Sequence, residues 1–166
     1  KTKEEEINYL NDYDFLTGLY NRRYLEKIRK EIEDEKYLPV SVIVGDINGL
    51  KLINDAFGHA QGDNLIIQTA KLLKECCGEK GILVRTGGDE FTAILLNSDE
   101  RAAETMMEQI RGRLSELNRK AGNEAFYLHV SLGSSTKHRV YESLEKTFKD
   151  AEDHMYKRKL LDHKSS

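Results

Sequence analysis

Three carboxylates carry the chemistry for which this sequence can be read. Asp46 closes an apolar run, Val40-Ser41-Val42-Ile43-Val44-Gly45-Asp46-Ile47, while Asp89 and Glu90 stand side by side in Arg85-Thr86-Gly87-Gly88-Asp89-Glu90-Phe91. Adjacent carboxylates repel unless solvent or a cation takes up their charge. Convergent carboxylates are what magnesium requires, with the remaining coordination positions left to phosphate oxygens and water. A lone Gly-Gly-Asp-Glu is better read as a solvated turn. A cation site therefore requires a fold that brings Asp46 to that turn.

The elements around these residues favour such a meeting. Gly81-Ile82-Leu83-Val84 and Phe91-Thr92-Ala93-Ile94-Leu95-Leu96 read as two short strands joined at an acidic tip, with Gly87 and Gly88 expected to supply the positive φ angles of a hairpin turn. The run from Val40 to Ile47 has the pattern of a central strand covered on both faces. Ligands in α/β sheets collect outside strand ends, so Asp46 is either a capping residue or a ligand at the sheet's working edge. Beyond it, Asn48-Gly49-Leu50-Lys51-Leu52-Ile53-Asn54-Asp55-Ala56-Phe57-Gly58-His59-Ala60-Gln61-Gly62-Asp63 begins polar, makes a helical turn and breaks at Gly58. A glycine-containing loop there lets backbone N–H groups approach phosphate oxygens. Asn54 offers a donor and an acceptor, and the Asp63 carboxylate can accept from N1–H and the exocyclic amine of guanine together. Asp63 is also expected to be the N-cap of a helix carrying Leu65, Ile66, Ala70, Leu73 and Cys77. His59 lacks a second histidine at ligand spacing and reads as structural or as a sugar contact.

Composition narrows the classes. With 166 residues, 39% of them hydrophobic, one domain with its own core is expected. A net charge of −3 argues against binding driven by nucleic-acid phosphates. No apolar run reaches membrane-spanning length, and no secretory signal is recognised at the start. Cys76 and Cys77, the two cysteines, are expected to be buried in a helix in a reducing compartment. Residues 1–13, with Ile7 and Leu10 at helical spacing, read as the end of an upstream helix. Asn21 is expected to cap a helix with core residues Tyr24, Leu25, Ile28 and Ile32, and Arg22 and Arg23 to be exposed, paired or touching an anion. Ser98 or Asp99 is the expected cap of a helix whose face is Ala103, Met106, Ile110, Leu114 and Leu117. A strand is expected over Phe126 to Leu132 with His129 on its outer side, and a last helix from Tyr141 packs Leu144, Phe148, Ala151 and Met155.

These motifs together resemble the GGDEF domain of bacterial diguanylate cyclases. Gly87-Gly88-Asp89-Glu90-Phe91 matches the signature, and Asp14-Phe15-Leu16-Thr17-Gly18-Leu19-Tyr20-Asn21-Arg22-Arg23, the block from Asp46 to Asp63, and Ser131-Leu132-Gly133 followed by a C-terminal helix agree with it in order. The resemblance implies an α/β (α+β) fold over residues 14–166, a palm-like, mostly antiparallel sheet of about five strands flanked by helices, with the signature on a β-hairpin. It implies condensation of two GTP into cyclic di-GMP with release of two pyrophosphates, in a homodimer of half-sites. By resemblance, Asp46, the Ile47 carbonyl, Asp89 and Glu90 bind Mg2+ or Mn2+, two ions per GTP site, and Asp89 and Glu90 are catalytic. Asn54 and Asp63 would read guanine, while Gly49, Leu50, Lys51, His59, Gly87, Gly88 and Lys159 would contact phosphate or ribose. An upstream sensory domain and a cytoplasmic location are implied, with no nucleic-acid partner and no direct membrane contact from this segment.

Two departures from the family pattern stand out. The positions of its product-binding Arg-x-x-Asp motif read Gly78-Glu79-Lys80-Gly81, so no inhibitory product site is expected. His163 stands where an arginine is usual. The competing reading is a catalytically weak or inactive GGDEF domain that binds GTP as a sensory or docking module, and the presence of all five residues Asp46, Asn54, Asp63, Asp89 and Glu90 favours the enzyme.

Overall fold

Strand β2, Val40–Ile47, forms the centre of the molecule, with every residue buried. A strand covered on both faces has no solvent side to mark, which is why its sequence is apolar without alternation. The computed structural model describes residues 2–122 and 127–164, with backbone alone at 6–10 and 163–164. The side chains of Ile7, Leu10 and His163, and all of Asn123 and Phe126, lie outside the described residues.

Strand β2 pairs antiparallel with β4, Glu90–Leu95, on one side and with β5, Val130–Lys137, on the other. Beyond β4 lie β3, Gly81–Arg85, antiparallel to β4, and the two-residue β1, Tyr20–Asn21, parallel to β3. The order is therefore β1-β3-β4-β2-β5, a mixed sheet dominated by antiparallel pairs. Because side chains alternate across a strand, the sheet makes two core layers. Val40, Val42, Val44, Val84 and Ile94 meet Leu25 and Ile28 of α2 (Arg22–Ile28) and Leu144, Phe148, Ala151 and Met155 of α6 (Leu144–Lys164). On the opposite face, Ile43, Ile47, Phe91 and Ala93 meet α4 (His59–Cys77) and α5 (Glu100–Ala121).

The helix starts follow their capping chemistry. Asn21 (φ −103°) accepts from Tyr24 N–H at 3.0 Å, and its own amide donates to the Asn11 carbonyl at 2.8 Å, tying α2 to the end of α1 (Lys3–Asp12). Asp99 caps α5 through Ala102 N–H at 3.1 Å. Met106, as expected, and Met107 beside it are core residues of that helix.

Several expectations need correction. The last strand begins at Val130 and continues to Lys137, because β2 is eight residues long and pairs along its whole length, from Ile47↔Val130 to Val40↔Lys137. Leu128 precedes it, held by the Asn118 side chain, which donates to the Leu128 carbonyl (2.8 Å) and accepts from its N–H (2.7 Å). The last helix starts at Leu144, leaving Tyr141 exposed. Asp63 is no N-cap: α4 already starts at His59, after Gly58 at φ +92°. Gly87 and Gly88 do not have positive φ; two arginines, described below, hold the turn instead. Cys77 is buried, but Cys76 is only half-buried.

Candidate active site

The acidic residues gather at one rim of the sheet because of strand register. Asp46, at the end of β2, lies directly across from Glu90, the first residue of β4, on the α6 face of the sheet. Asp89, just before β4, accepts through its carbonyl from Ile47 N–H at 2.9 Å, so the signature turn is bonded to the end of β2. From the helical layer Lys159 of α6 reaches the same rim, its Nζ 2.5 Å from Asp46 Oδ2. The height of α6 depends on Gly133 in β5: a Cβ there would lie 2.1 Å from Met155 N and 2.7 Å from Ala151 O. The helix backbone thus rests directly on the strand.

Asp46 is the electrostatic centre of this rim. Burial pushes its carboxyl above the ordinary range, the Lys159 ammonium draws it back, and the neighbouring Asp89 carboxylate pushes it up again. Its Oδ1 is buried without a hydrogen-bond partner. A buried, unpartnered carboxylate oxygen beside a second carboxylate fits a hard dication, which takes oxygen ligands and offsets both the burial and the repulsion. Glu90 is turned differently. Its Oε2 accepts from Thr86 Oγ1 at 2.7 Å, and it raises the nearby carboxyl of Glu152, already pushed up by burial. Among the described residues, no group of three or more His, Cys, Asp or Glu is spaced to hold a metal ion. Asp46 and Asp89 meet, Glu90 shares their rim, and Lys159 is paired with Asp46.

The turn bearing Asp89 is held by two guanidinium groups. Arg22 Nε donates to the Thr86 carbonyl at 3.1 Å, and Arg85 Nη2 donates to the Gly88 carbonyl at 2.8 Å. Arg85 Nη1 also reaches both oxygens of Asp14, at 3.1 and 3.2 Å. Asp14 in turn accepts from the Thr17 N–H (2.8 Å) and hydroxyl (2.7 Å). Burial raises the Asp14 carboxyl, yet the Thr17 bonds and the Arg85 charge together carry it below its ordinary value. Sequence reading missed the partnership of Arg85 with Asp14, although the Asp14-x-x-Thr17 spacing is itself a local turn signal. It left Arg22 as exposed, paired or touching an anion; the residue is exposed, and its bond to the turn was not foreseen.

The α3–α4 corner holds the remaining expected residues. Helix α3, Leu50–Phe57, starts after Gly49 at φ +74°, and Lys51 and His59 are exposed on α3 and α4. Asn54 packs where a side chain of Gly62 would stand: a Cβ at 62 would come 1.7 Å from Asn54 Oδ1, an atom that is itself buried and unpartnered. Asp63, the next residue, is exposed. The Asn54 amide oxygen and the exposed Asp63 carboxylate are both acceptors, and the Asn54 amide nitrogen is the donor at this corner.

A model of the family described as "Diguanylate cyclase, GGDEF domain" matches residues 11–164, and the chain belongs to that family. It is 35% identical over 158 residues to a diguanylate cyclase of Vibrio cholerae serotype O1, covering 93% of this chain and 49% of that relative. The chain spans half the length or less of the curated relatives it matches. Among solved structures, it resembles the coiled coil and GGDEF domain of DgcB from Caulobacter crescentus in complex with c-di-GMP, with TM-score 0.82 and 26% identity over 94% of this chain and 84% of that one. It also resembles the active GGEEF domain of a diguanylate cyclase from Vibrio cholerae, with TM-score 0.72 and 32% identity over 82% of this chain and 88% of that one. No helix among the described residues is long and apolar enough to cross a membrane.

Proposed function

We propose that this chain is a diguanylate cyclase domain that condenses two GTP into cyclic di-GMP and two pyrophosphates, each of two facing protomers holding one GTP. The observation that carries the reading is the buried, unpartnered Asp46 Oδ1 at the rim where Asp89 and Lys159 converge. Mg2+ or Mn2+, two per GTP, held by Asp46, Asp89, Glu90 and the Ile47 carbonyl, would supply charge neutralisation at the triphosphate. Lys159 adds a mobile cation for the phosphates once it leaves Asp46, and the start of α3 with Gly49, Leu50 and Lys51 offers N–H groups to them. The turn at Gly87 and Gly88 leaves room for ribose and phosphate, and His59 borders the sugar. Asn54 and Asp63 select guanine.

In the chemical step the 3′-hydroxyl of one GTP attacks the α-phosphorus of the other, the bond to the β,γ-pyrophosphate breaks, and Asp89 accepts the hydroxyl proton. Positioning and charge neutralisation are the main demands of such phosphoryl transfer. Residues 1–13 then belong to a signalling helix from an upstream sensory domain, and residues 14–166 form the cytoplasmic output domain. Gly78 to Gly81 offer no inhibitory product site.

The test is to incubate concentrated or zipper-dimerised protein with GTP and Mg2+ and to separate the products by chromatography. Cyclic di-GMP is expected from wild type, and Asp89→Asn should retain the fold while losing turnover by about 10²- to 10⁴-fold. Asp63→Ser should relax the choice between GTP and ATP. A folded, dimerised wild type that makes no product would leave the docking module as the better reading.

A further inference from the structure

Thr86 occupies the position before the signature glycines and spends every polar atom on the turn. Its N–H donates to the Glu90 carbonyl (3.0 Å), its carbonyl accepts from Arg22, and its hydroxyl lies 2.7 Å from Glu90 Oε2. A second hydroxyl stands behind it, Thr92 Oγ1 at 3.2 Å, on a residue that is 3% exposed. Register explains the grouping: Arg85 pairs with Phe91, so Thr86 sits opposite Glu90, and Thr92 is the next residue of β4 on Glu90's face.

Proton counting gives this trio a direction. An ionised carboxylate only accepts, so the single Thr86 proton goes to Glu90. The Thr92 hydroxyl must then donate to Thr86 Oγ1, since the Thr86 proton is already committed. The result is a one-way chain, Thr92 to Thr86 to Glu90, that fixes one carboxylate oxygen, Oε2, and with it the plane of the carboxylate.

We infer that Thr86, backed by Thr92, is a positioning residue that orients Glu90 as a ligand for the divalent cation. The inference rests on the cation-binding reading of the site given above. Carboxylates that ligate metals are themselves held by hydrogen bonds, and removing such an outer partner typically weakens the metal by about 10- to 100-fold. Thr86→Val keeps the β-branched shape but removes the donor, and Thr86→Ser restores it.

The experiment is titration of the nucleotide-free protein with Mn2+, following the signal of free aqueous ion by electron paramagnetic resonance, with Asp46→Asn as the reference for site-specific binding. Thr86→Val is expected to weaken Asp46-dependent Mn2+ binding by about tenfold or more, Thr86→Ser to bind as wild type, and Thr92→Val to lose affinity in the same direction but less. Binding by Thr86→Val equal to wild type overturns the inference while leaving the cation site standing. Wild-type protein with no Asp46-dependent Mn2+ binding overturns the cation reading and this inference with it. If thermal melting finds Thr86→Val unfolded, Thr92→Val decides, because it leaves residue 86 in place: unchanged affinity there overturns the chain of donors.

Discussion

If Asp46 holds a divalent cation as proposed, Lys159 competes with it for the same carboxylate, and that competition has a measurable sign. Nζ lies 2.5 Å from Asp46 Oδ2, with the two side chains 26% and 12% exposed. A hydrogen bond between charged partners contributes about 1.5–3 kcal/mol net. A cation arriving at Asp46 in the absence of nucleotide must displace that ammonium or share the oxygen with it. At about 1.4 kcal/mol per decade, this costs roughly 10- to 100-fold in affinity. Lys159→Met retains most of the aliphatic stem and removes the competitor. Calorimetry or paramagnetic resonance on nucleotide-free protein should therefore find Mn2+ bound at least about tenfold tighter in Lys159→Met. With GTP present the effect should reverse, the KM for GTP rising because the variant has no ammonium to meet phosphate. A lysine that served only as a phosphate ligand would leave nucleotide-free Mn2+ binding unchanged. Unchanged or weaker Mn2+ binding in the variant refutes the argument.

Three further outcomes follow from other contacts. The lowered Asp14 carboxyl means that the unfolded chain takes up its proton first as pH falls, so its contribution is fully present above the ordinary carboxylate value near ~4 and disappears as pH drops through the lower folded value. Urea midpoints for Asp14→Asn should accordingly fall less steeply than wild type below about pH 4, and at pH 7 the variant should be less stable by about 2 kcal/mol, since Arg85 loses its partner. Gly133→Ala would drive a Cβ into the backbone of α6 at Met155; a loss of about 2–3 kcal/mol is expected, seen as a melting temperature lower by roughly 4–12 °C, and an unchanged melting curve would contradict the packing described. Burial holds the Cys77 thiol at about 11 and the residue is 2% exposed, so at pH 8 a disulfide reagent should titrate at most one thiol in folded protein. That thiol is Cys76, and Cys76→Ser should abolish the native-state reaction.

How far the sequence reveals this site depends on whether each cue is local. The run from Val40 to Ile47 could be read correctly because burial on both faces leaves a continuous apolar signal, and its closing carboxylate marks the strand end. The Asn21 cap was legible for the same reason and that of α5 was narrowed to Ser98 or Asp99, since each bond closes within three residues. The reading of Asp63 as an N-cap failed through a cost that tertiary packing offsets. Glycine inside a helix disfavours it by about 1 kcal/mol, so a start after Gly62, capped by Asp63, looks better than a start at His59. The folded chain keeps Gly62 inside α4 because any larger residue would collide with Asn54.

The last strand was misplaced by a similar conflict. Alternation over Phe126 to Leu132 outweighed the polar stretch that follows, yet that stretch pairs with β2 to the end. Its polar atoms are used across elements: Thr136 bonds with Ser41 at 2.7 Å, and Ser134 N–H donates to His154 Nδ1 at 2.9 Å. Gly133, a weak residue for a strand when read along the chain, decides where Lys159 stands. Without a side chain there, α6 settles onto β5 at Met155, and one helical turn further on Lys159 comes level with Asp46. The meeting of β2, the hairpin turn and α6 at this rim is thus set by a contact between two backbones, and the Ser131-Leu132-Gly133 motif marks the place without announcing the contact.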